Sequence, residues 1–409
     1  MGKKNLGKSS GGSIFDIVKS VDESAEILSE SATAVIEDFV HTGSYIVNAA
    51  LTGSIFKGVP SGRVTVLAGN PGTGKTYLAM SICREGQKKG YTPIYLDSEG
   101  SVDKSFCERL GIDPSNMIIK QVTTVSEVNT FLVNVLNDIN AKPKEERPKV
   151  IFVIDSIGNL SSTKEMNDTA EGNGKADMTK NREIKALFRT NATALAKAQA
   201  ILVCNSHVYQ TLDLFATTKI SGGSGLGFAS SVTLLLSTSK LDDKQSDKIA
   251  EKKVGDFTKT GVIVTAKTEK SRFTIPQKVK FQIPFFKAPN PYVGLEAYIT
   301  WENSGIMRGK IVTEKEYNKL SDLEKTVCEE MIDQSGNKCY AMPKETSKNI
   351  VVKHLGCEVP VAELFTSKVL TDDVLHNLDE TIIKPSFELP SNDGNDDIEE
   401  LLNSNGSDE

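Results

Sequence analysis

The stretch LAGNPGTGKTYL, residues 67–78, decides the fold. Its centre, Gly69-Asn70-Pro71-Gly72-Thr73-Gly74-Lys75-Thr76, satisfies G-x-x-x-x-G-K-[ST] at all four fixed positions. The apolar run RVTVLAG leads into it, and a helix is expected to open at Thr76, with Tyr77 in its first turn. Glycines at such a strand-to-helix turn let the backbone wrap an oxyanion with its N–H groups pointing inward, and the helix N-terminus adds partial positive charge. Lys75 is then placed to neutralise β- and γ-phosphates, and the Thr76 hydroxyl to ligate Mg²⁺. A glycine-rich turn with no ligand is the bland alternative; four fixed positions in a strand–turn–helix context set it aside.

Working outward, RVTVLAG, TPIYLD, KVIFVID, AILVCNS and SVTLLLS are short, β-branched and almost wholly apolar. All but the last pair are separated by helical or helix-length segments. Apolar on both faces, they predict central strands of a mostly parallel sheet covered by helices. TGVIVTAK and QKVKFQIPFF alternate more and predict an antiparallel extension. The strand Ile151–Asp155 ends in an acid, which in a phosphate-binding fold of this kind holds the Mg²⁺ shell, usually through water. Another strand ends in Tyr95-Leu96-Asp97-Ser98-Glu99. Ligands sit at the carboxyl ends of such strands, so Asp97 and Glu99 are expected to face the phosphates, where a carboxylate can polarise an attacking water.

Two long polar, glycine-bearing segments, 161–177 and 207–227, interrupt this core. Loops of that length inside a compact domain are usually functional. Four regions follow: an arm over 1–40, with a Gly/Ser/Lys-rich start and then one or two amphipathic helices for packing on its own core or a neighbour; a core over 41–300; a small lobe over 301–385; and an acidic tail over 386–409. NKLSDLEKTVCEEMI and VAELFTSKVL carry apolar residues at helical spacing, so the lobe is expected to be α-rich.

Composition fits a globular chain: 409 residues, 38% hydrophobic, 25% charged. No run of about 18 apolar residues implies a membrane span. The start, MGKKNLGKSS, lacks the apolar region of a signal peptide, and six cysteines without a secretory signal read as reduced thiols. The expected compartment is the cytoplasm, of a cell or of an infected host. The formal net charge of −6 is unfavourable for a nucleic-acid partner, yet residues 391–409 hold seven acids and no Lys or Arg, so without them the charge is +1. A local basic face remains available. The tail is either a solvated end or an electrostatic gate competing with DNA phosphates for the same cations.

GNPGTGKT, LDSEGSVDKSFCERLGID, VIFVIDSIGNL, ISGGSGLGFASSVTLLL and TEKSRFTIPQKVKFQI, in that order, resemble a RecA-type recombinase, most closely the UvsX branch found in bacteriophages. The resemblance covers 41–300 well, the arm loosely and the lobe poorly. It implies an α/β, RecA-like ATPase core using ATP and Mg²⁺. It implies Glu99 as catalytic carboxylate, and Asp103 and Phe106 as adenine contacts, with Phe106 equally readable as a core residue of its helix. His207 falls at the γ-phosphate sensor, where RecA carries Gln and the phage branch His; Asn205 and Ser206 are its neighbouring alternatives. The two long loops correspond to segments that hold single-stranded DNA along a filament axis. Lys164, Lys175 and Lys219 can meet phosphates there, and the Gly222-Gly223 backbone can approach the strand. Arg182 and Arg189, with Lys185 between them, match DNA-contacting positions or form a charged solvated face. At Gly227 the chain departs from RecA, which carries Lys there. Lys270 and Arg272 match the basic pair that one protomer extends into its neighbour's ATP site; RecA has Lys at both places, and Arg alters the hydrogen-bond geometry.

The implied activity is homology search, pairing and strand exchange by a helical filament on single-stranded DNA. The implied partners are single- and double-stranded DNA, further copies of the chain, a single-strand-binding protein and a recombination mediator. A RecA-fold helicase or motor, and an ATP-dependent mediator that does not hydrolyse, are the alternatives. A zinc site from Cys328, Cys339, His354 and Cys357 fits no standard spacing.

Overall fold

The computed structural model describes residues 13–22, 25–28, 31, 33–170, 179–210, 218–238, 261–284 and 288–389. Residues 171–177 of the first long loop, Lys175 among them, 211–217 of the second, and 390–409 of the acidic tail lie outside the described residues.

An eight-stranded sheet forms the core, with strands in the order β12-β11-β10-β3-β7-β6-β4-β5. These are β3 (Val64–Gly69), β4 (Thr92–Asp97), β5 (Ile118–Gln121), β6 (Val150–Asp155), β7 (Ile201–Ser206), β10 (Val232–Thr238), β11 (Gly261–Ser271) and β12 (Lys278–Pro284). From β10 through β5 every pairing is parallel, and β11 and β12 add on antiparallel. Every residue of β3, β6 and β7 is buried, which is why these strands read as unbroken apolar runs.

Strand alternation divides the core in two. Leu67, Tyr95, Ile151, Val153 and Val203 face one side, with α2 (Tyr45–Thr52) and α3 (Lys75–Lys88). Val66, Ala68, Leu96, Phe152, Ile154 and Cys204 face the other, against α5 (Val125–Asn140) and α7 (Thr179–Ala198). On α5 the inward residues Val125, Val128, Leu132, Leu136 and Ile139 fall at helical spacing. Thr124 and Glu127 close its N-terminus as a capping box, each side chain accepting from the other's backbone N–H. Helix α7 buries Ile184, Leu187, Phe188 and Leu195 and turns Arg182, Lys185 and Arg189 to solvent. Its C-terminus packs so that Asn191 Nδ2 donates to Asn129 of α5 at 2.8 Å.

The arm carries an amphipathic helix near its start. Among the described residues of the arm one helix forms, α1 (Ile14–Val21), and none of its residues is buried: Ile14, Phe15, Ile17, Val18 and Val21 are all exposed. Beyond it the chain reaches β1 (Phe39–Val40), paired with β2 (Val59–Pro60). Asp38 anchors this entry, accepting from Lys89, from Lys149 at 3.1 Å and from the Tyr91 hydroxyl at 3.0 Å.

The lobe departs from the α-rich expectation. Residues 306–360 form a five-stranded antiparallel sheet, β14-β15-β13-β16-β17, built from β13 (Ile306–Thr313), β14 (Glu329–Ile332), β15 (Lys338–Pro343), β16 (Asn349–Val352) and β17 (Cys357–Pro360). The stretch NKLSDLEKTVCEEMI is helical only over Asp322–Thr326 and then becomes strand β14. In VAELFTSKVL only a single 3₁₀ turn, Val361–Glu363, forms. Helix returns from Asp372 to Phe387. One hydrophobic cluster runs from α2 through Ile306, Ile350 and Val352 to Leu375, Leu378 and Phe387, so the lobe shares the core's interior. Cys328, Cys339 and His354 make their bonds to backbone carbonyls of Glu324, Met331 and Lys368. Among the described residues no group of three or more His, Cys, Asp or Glu could hold a metal, and no helix is long and apolar enough to cross a membrane.

Asp379 joins lobe to core. It is 2% exposed, and its carboxylate accepts from Ser54 Oγ at 2.6 Å and from the Ile55 N–H at 2.8 Å. Asp379→Ala leaves a buried amide and hydroxyl without their acceptor. The expected loss is about 2–3 kcal/mol, read as a lower denaturant midpoint. An unchanged midpoint would remove this contact from the account of how the lobe is held.

Candidate active site

Strand β3 stops at Gly69, and α3 starts at Lys75. Between them Gly72 and Gly74 adopt left-handed φ values of 76° and 86°, a region that favours glycine. At Gly74 a Cβ would also lie 2.0 Å from the terminal methyl of Ile283 in β12, so a side chain there would both strain the backbone and displace that methyl. Thr73 Oγ1 ties the loop by donating to the Asn70 carbonyl at 2.8 Å. The Lys75 ammonium folds over the same loop, donating to the carbonyls of Gly69 at 2.9 Å and Asn70 at 3.0 Å. Burial draws the Lys75 pKa down, while Asp155 and Glu99 oppose that shift. The Tyr77 ring packs in the core cluster, which leaves its backbone in the first turn of α3 as the part that can face a nucleotide.

Thr76 Oγ1 donates to Asp155 Oδ2 at 2.6 Å, bringing the first turn of α3 to the end of β6. Asp155 is 1% exposed, and the peptide to Ser156 is cis. The Tyr95 hydroxyl, from β4, donates to the same Oδ2 at 2.5 Å. Sequence reading missed this third member; its signal is the one hydroxyl within the otherwise apolar PIYL run, residues 93–96. A hydroxyl beside a carboxylate supplies hard oxygen donors, and an N–H-lined glycine loop with a buried ammonium suits a phosphate chain. The residues present therefore fit a Mg²⁺–nucleotide ligand.

Asp97 and Glu99 part company. Asp97 is fully buried, and its Oδ1 accepts from the N–H groups of Glu99 at 2.9 Å and Gly100 at 2.8 Å. It shapes the turn, contrary to the expectation that it faces phosphates. Ser98 braces that turn against β6: its Oγ accepts from Ser156 N at 2.8 Å and donates to Ser156 O at 2.9 Å. Glu99 is presented outward, with its Oε1 3.0 Å from His207 Nε2.

His207 follows β7 and precedes β8 (Val208–Gln210), which pairs with β9 (Thr218–Ile220) as a small hairpin. Of the three sensor candidates, His207 meets Glu99, Ser206 Oγ donates to Ser221 O at 2.7 Å, and Asn205 is buried with no hydrogen bond to its amide among the described residues. Ser221 N in turn donates to His207 O at 2.8 Å, so the sensor position is bonded directly to the second loop.

After that loop comes α8 (Gly223–Ala229), entered through Gly222 at φ 102° and Gly223 at φ 70°. Helix α8 lies against α7: a Cβ on Gly225 would be 2.9 Å from the Lys185 Cα. Lys185 is thus brought beside the glycine turn, with Arg182 and Arg189 exposed on the same helix. Lys219 is exposed on β9 and Lys164 on α6 (Thr163–Ala170). Lys180 Nζ donates to Gly158 O at 2.6 Å, tying α7 to the turn beneath His207. Asp103 accepts from Phe106 N at 2.8 Å as N-cap of α4 (Lys104–Arg109), and Phe106 is half-buried against the core with Arg109 over its ring.

Lys270, near the end of β11, donates to the carbonyls of Ser230 at 2.6 Å, Gly227 at 2.8 Å and Phe228 at 3.3 Å. Within a single chain it therefore caps the C-terminus of α8. Desolvation, and then the neighbouring Arg272, lower its pKa. Arg272 itself is exposed.

Parallel sheet, glycine loop and the Thr76–Asp155 pair define a P-loop protein. The chain belongs to the RecA N-terminal domain family, whose model matches residues 14–285. It is 27% identical over 263 residues to the recombination and repair protein of Enterobacteria phage T4, covering 63% of this chain and 62% of that protein. It is 28% identical over 255 residues to protein RecA of Ureaplasma parvum, covering 59% and 68% respectively. It is 26% identical over 254 residues to DNA repair protein recA homolog 3, mitochondrial, of Arabidopsis thaliana, covering 60% and 53%. The chain thus spans less than two thirds of the phage relative's length.

Proposed function

We propose that this chain is a DNA-dependent ATPase that assembles as a helical filament on single-stranded DNA and carries out homologous pairing and strand exchange in recombination and repair. The observation that carries the reading is the Glu99–His207 contact, which joins the hydrolytic carboxylate to the second loop through the Ser221 bonds.

Lys75, the 69–74 backbone and Thr76 hold the triphosphate; Asp103 and Phe106 are assigned to the adenine. Mg²⁺, when bound, neutralises charge on the β- and γ-oxygens. Thr76 and Asp155 hold that ion, Asp155 through water. Glu99 orients and polarises the attacking water, and His207 reports γ-phosphate occupancy to the 208–224 loop. Lys164, Lys175, Arg182, Lys185, Arg189 and Lys219 take DNA phosphates, with Gly222 and Gly223 admitting the strand. Lys270 and Arg272 of an adjacent copy complete the nucleotide site from across the interface, so Lys270 exchanges the α8 carbonyls for phosphate. The apolar face of α1 packs on a neighbouring copy. The site of action is the host cytoplasm, where a single-strand-binding protein and a mediator are the proposed loading partners. The unpaired strand carries the sequence information, and the protein handles its backbone.

Strand exchange with homologous and heterologous duplexes tests this. ATP-dependent joint molecules with homologous duplex alone are expected. Directional unwinding without regard to homology, or DNA binding without turnover, would replace the reading with a motor or a mediator. A second result is expected from the charged face of α7. Changing Arg182, Lys185 and Arg189 to Ala should flatten the dependence of log Kobs on log salt by about 0.7 for each lost phosphate contact. An unaltered slope in a fluorescence binding titration would return them to a solvated surface role.

A further inference from the structure

We infer that Tyr95 is a positioning residue for Mg²⁺-dependent nucleotide binding: its buried hydroxyl occupies Asp155 Oδ2 and thereby commits Oδ1 to the metal's water shell. This rests on the reading of Thr76 and Asp155 as the metal-side pair.

Tyr95 is fully buried in β4, next to β6 and in register with Val153, two residues before the Asp97–Asp155 pairing. A buried phenol needs an acceptor, because leaving its O–H unpaired is costly. Here the acceptor is the carboxylate of Asp155. Oδ2 therefore receives two donors, Thr76 Oγ1 at 2.6 Å and Tyr95 OH at 2.5 Å. Among the described residues neither bond reaches Oδ1.

Two consequences follow from that division. With two donors on one oxygen, rotation of the carboxylate about its own axis breaks both bonds, so the group is fixed in plane. The free oxygen is the one left to accept from a metal-bound water. Partners that orient a metal-binding carboxylate typically change metal affinity by about 10–100-fold. A Phe at position 95 would fill the same space and leave Oδ2 to Thr76 alone.

Binding of a fluorescent ATP analogue to wild type and Y95F, titrated with Mg²⁺ and repeated in EDTA, tests the assignment. Y95F is expected to raise the Mg²⁺ half-saturation point about tenfold. Its affinity for the analogue in EDTA should stay within about twofold of wild type, as expected for a change confined to the metal side. Equal Mg²⁺ half-saturation in the two proteins would overturn the inference. So would an equal loss in the Mg²⁺ and EDTA arms, which would mark Tyr95 as a packing residue. A wild-type protein whose analogue binding ignored Mg²⁺ would instead remove the metal-site reading beneath it.

Discussion

Lys75→Ala is expected to lower single-stranded-DNA-stimulated ATP hydrolysis by about 10²–10³-fold, the range for losing one preorganised charge-stabilising donor. Lys75 is 6% exposed and held over the loop by two carbonyls, so its ammonium is already oriented before a triphosphate arrives. A desolvated cation acts on phosphate charge in a low-dielectric setting, where its attraction is far stronger than in water. Because that attraction operates on the bound nucleotide as well as on the transition state, KM should rise while kcat falls. A phosphate-release assay with and without DNA reads both. Hydrolysis at the wild-type rate would mean that the glycine loop does not bind the reacting phosphates.

Glu99→Gln separates chemistry from binding. The amide keeps the size and one acceptor oxygen for His207 Nε2, now 3.0 Å away, but cannot take a proton from water. General-base catalysis typically contributes about 10²–10⁴-fold, and a kcat reduction in that range is expected here, with KM for ATP little changed. Filaments of this variant should persist on DNA after ATP addition, since the bound nucleotide is no longer consumed. A fall in nucleotide affinity equal to the fall in kcat would show Glu99 to be a binding residue instead.

What the sequence discloses depends on how local the cause is. Strands β3, β6 and β7 are buried on both faces, so their composition alone marks them. The phosphate loop is legible because its glycines and Lys75 serve one short turn. The lobe is less so. Its β14–β15 hairpin turns through Gly336 at φ 83°, with Asp333 Oδ1 accepting from Ser335 N and Asn337 N, each at 2.8 Å. That Asp-Gln-Ser-Gly-Asn turn is present in the chain, but the helical spacing of the preceding segment outweighs it, and a five-residue helix ends sooner than the spacing implies. Asp97 and Glu99 look equivalent in LDSE; only the turn geometry buries one and presents the other. Tyr95 with Asp155, and Lys270 with the end of α8, join residues 60 and 40–43 apart in sequence, through sheet register that no local pattern encodes.

The nucleotide as the joint between successive copies is the centre of the account: Lys75, Thr76 and Glu99 on one side, Lys270 and Arg272 of the next copy on the other. Electron microscopy of the full chain with a long single-stranded oligonucleotide, Mg²⁺ and a non-hydrolysable ATP analogue tests it most directly. Continuous helical filaments that disappear when the analogue is omitted or when Lys270 and Arg272 are changed to Ala are the predicted result. Isolated particles with analogue present, or equally regular filaments in both of the other conditions, would contradict it.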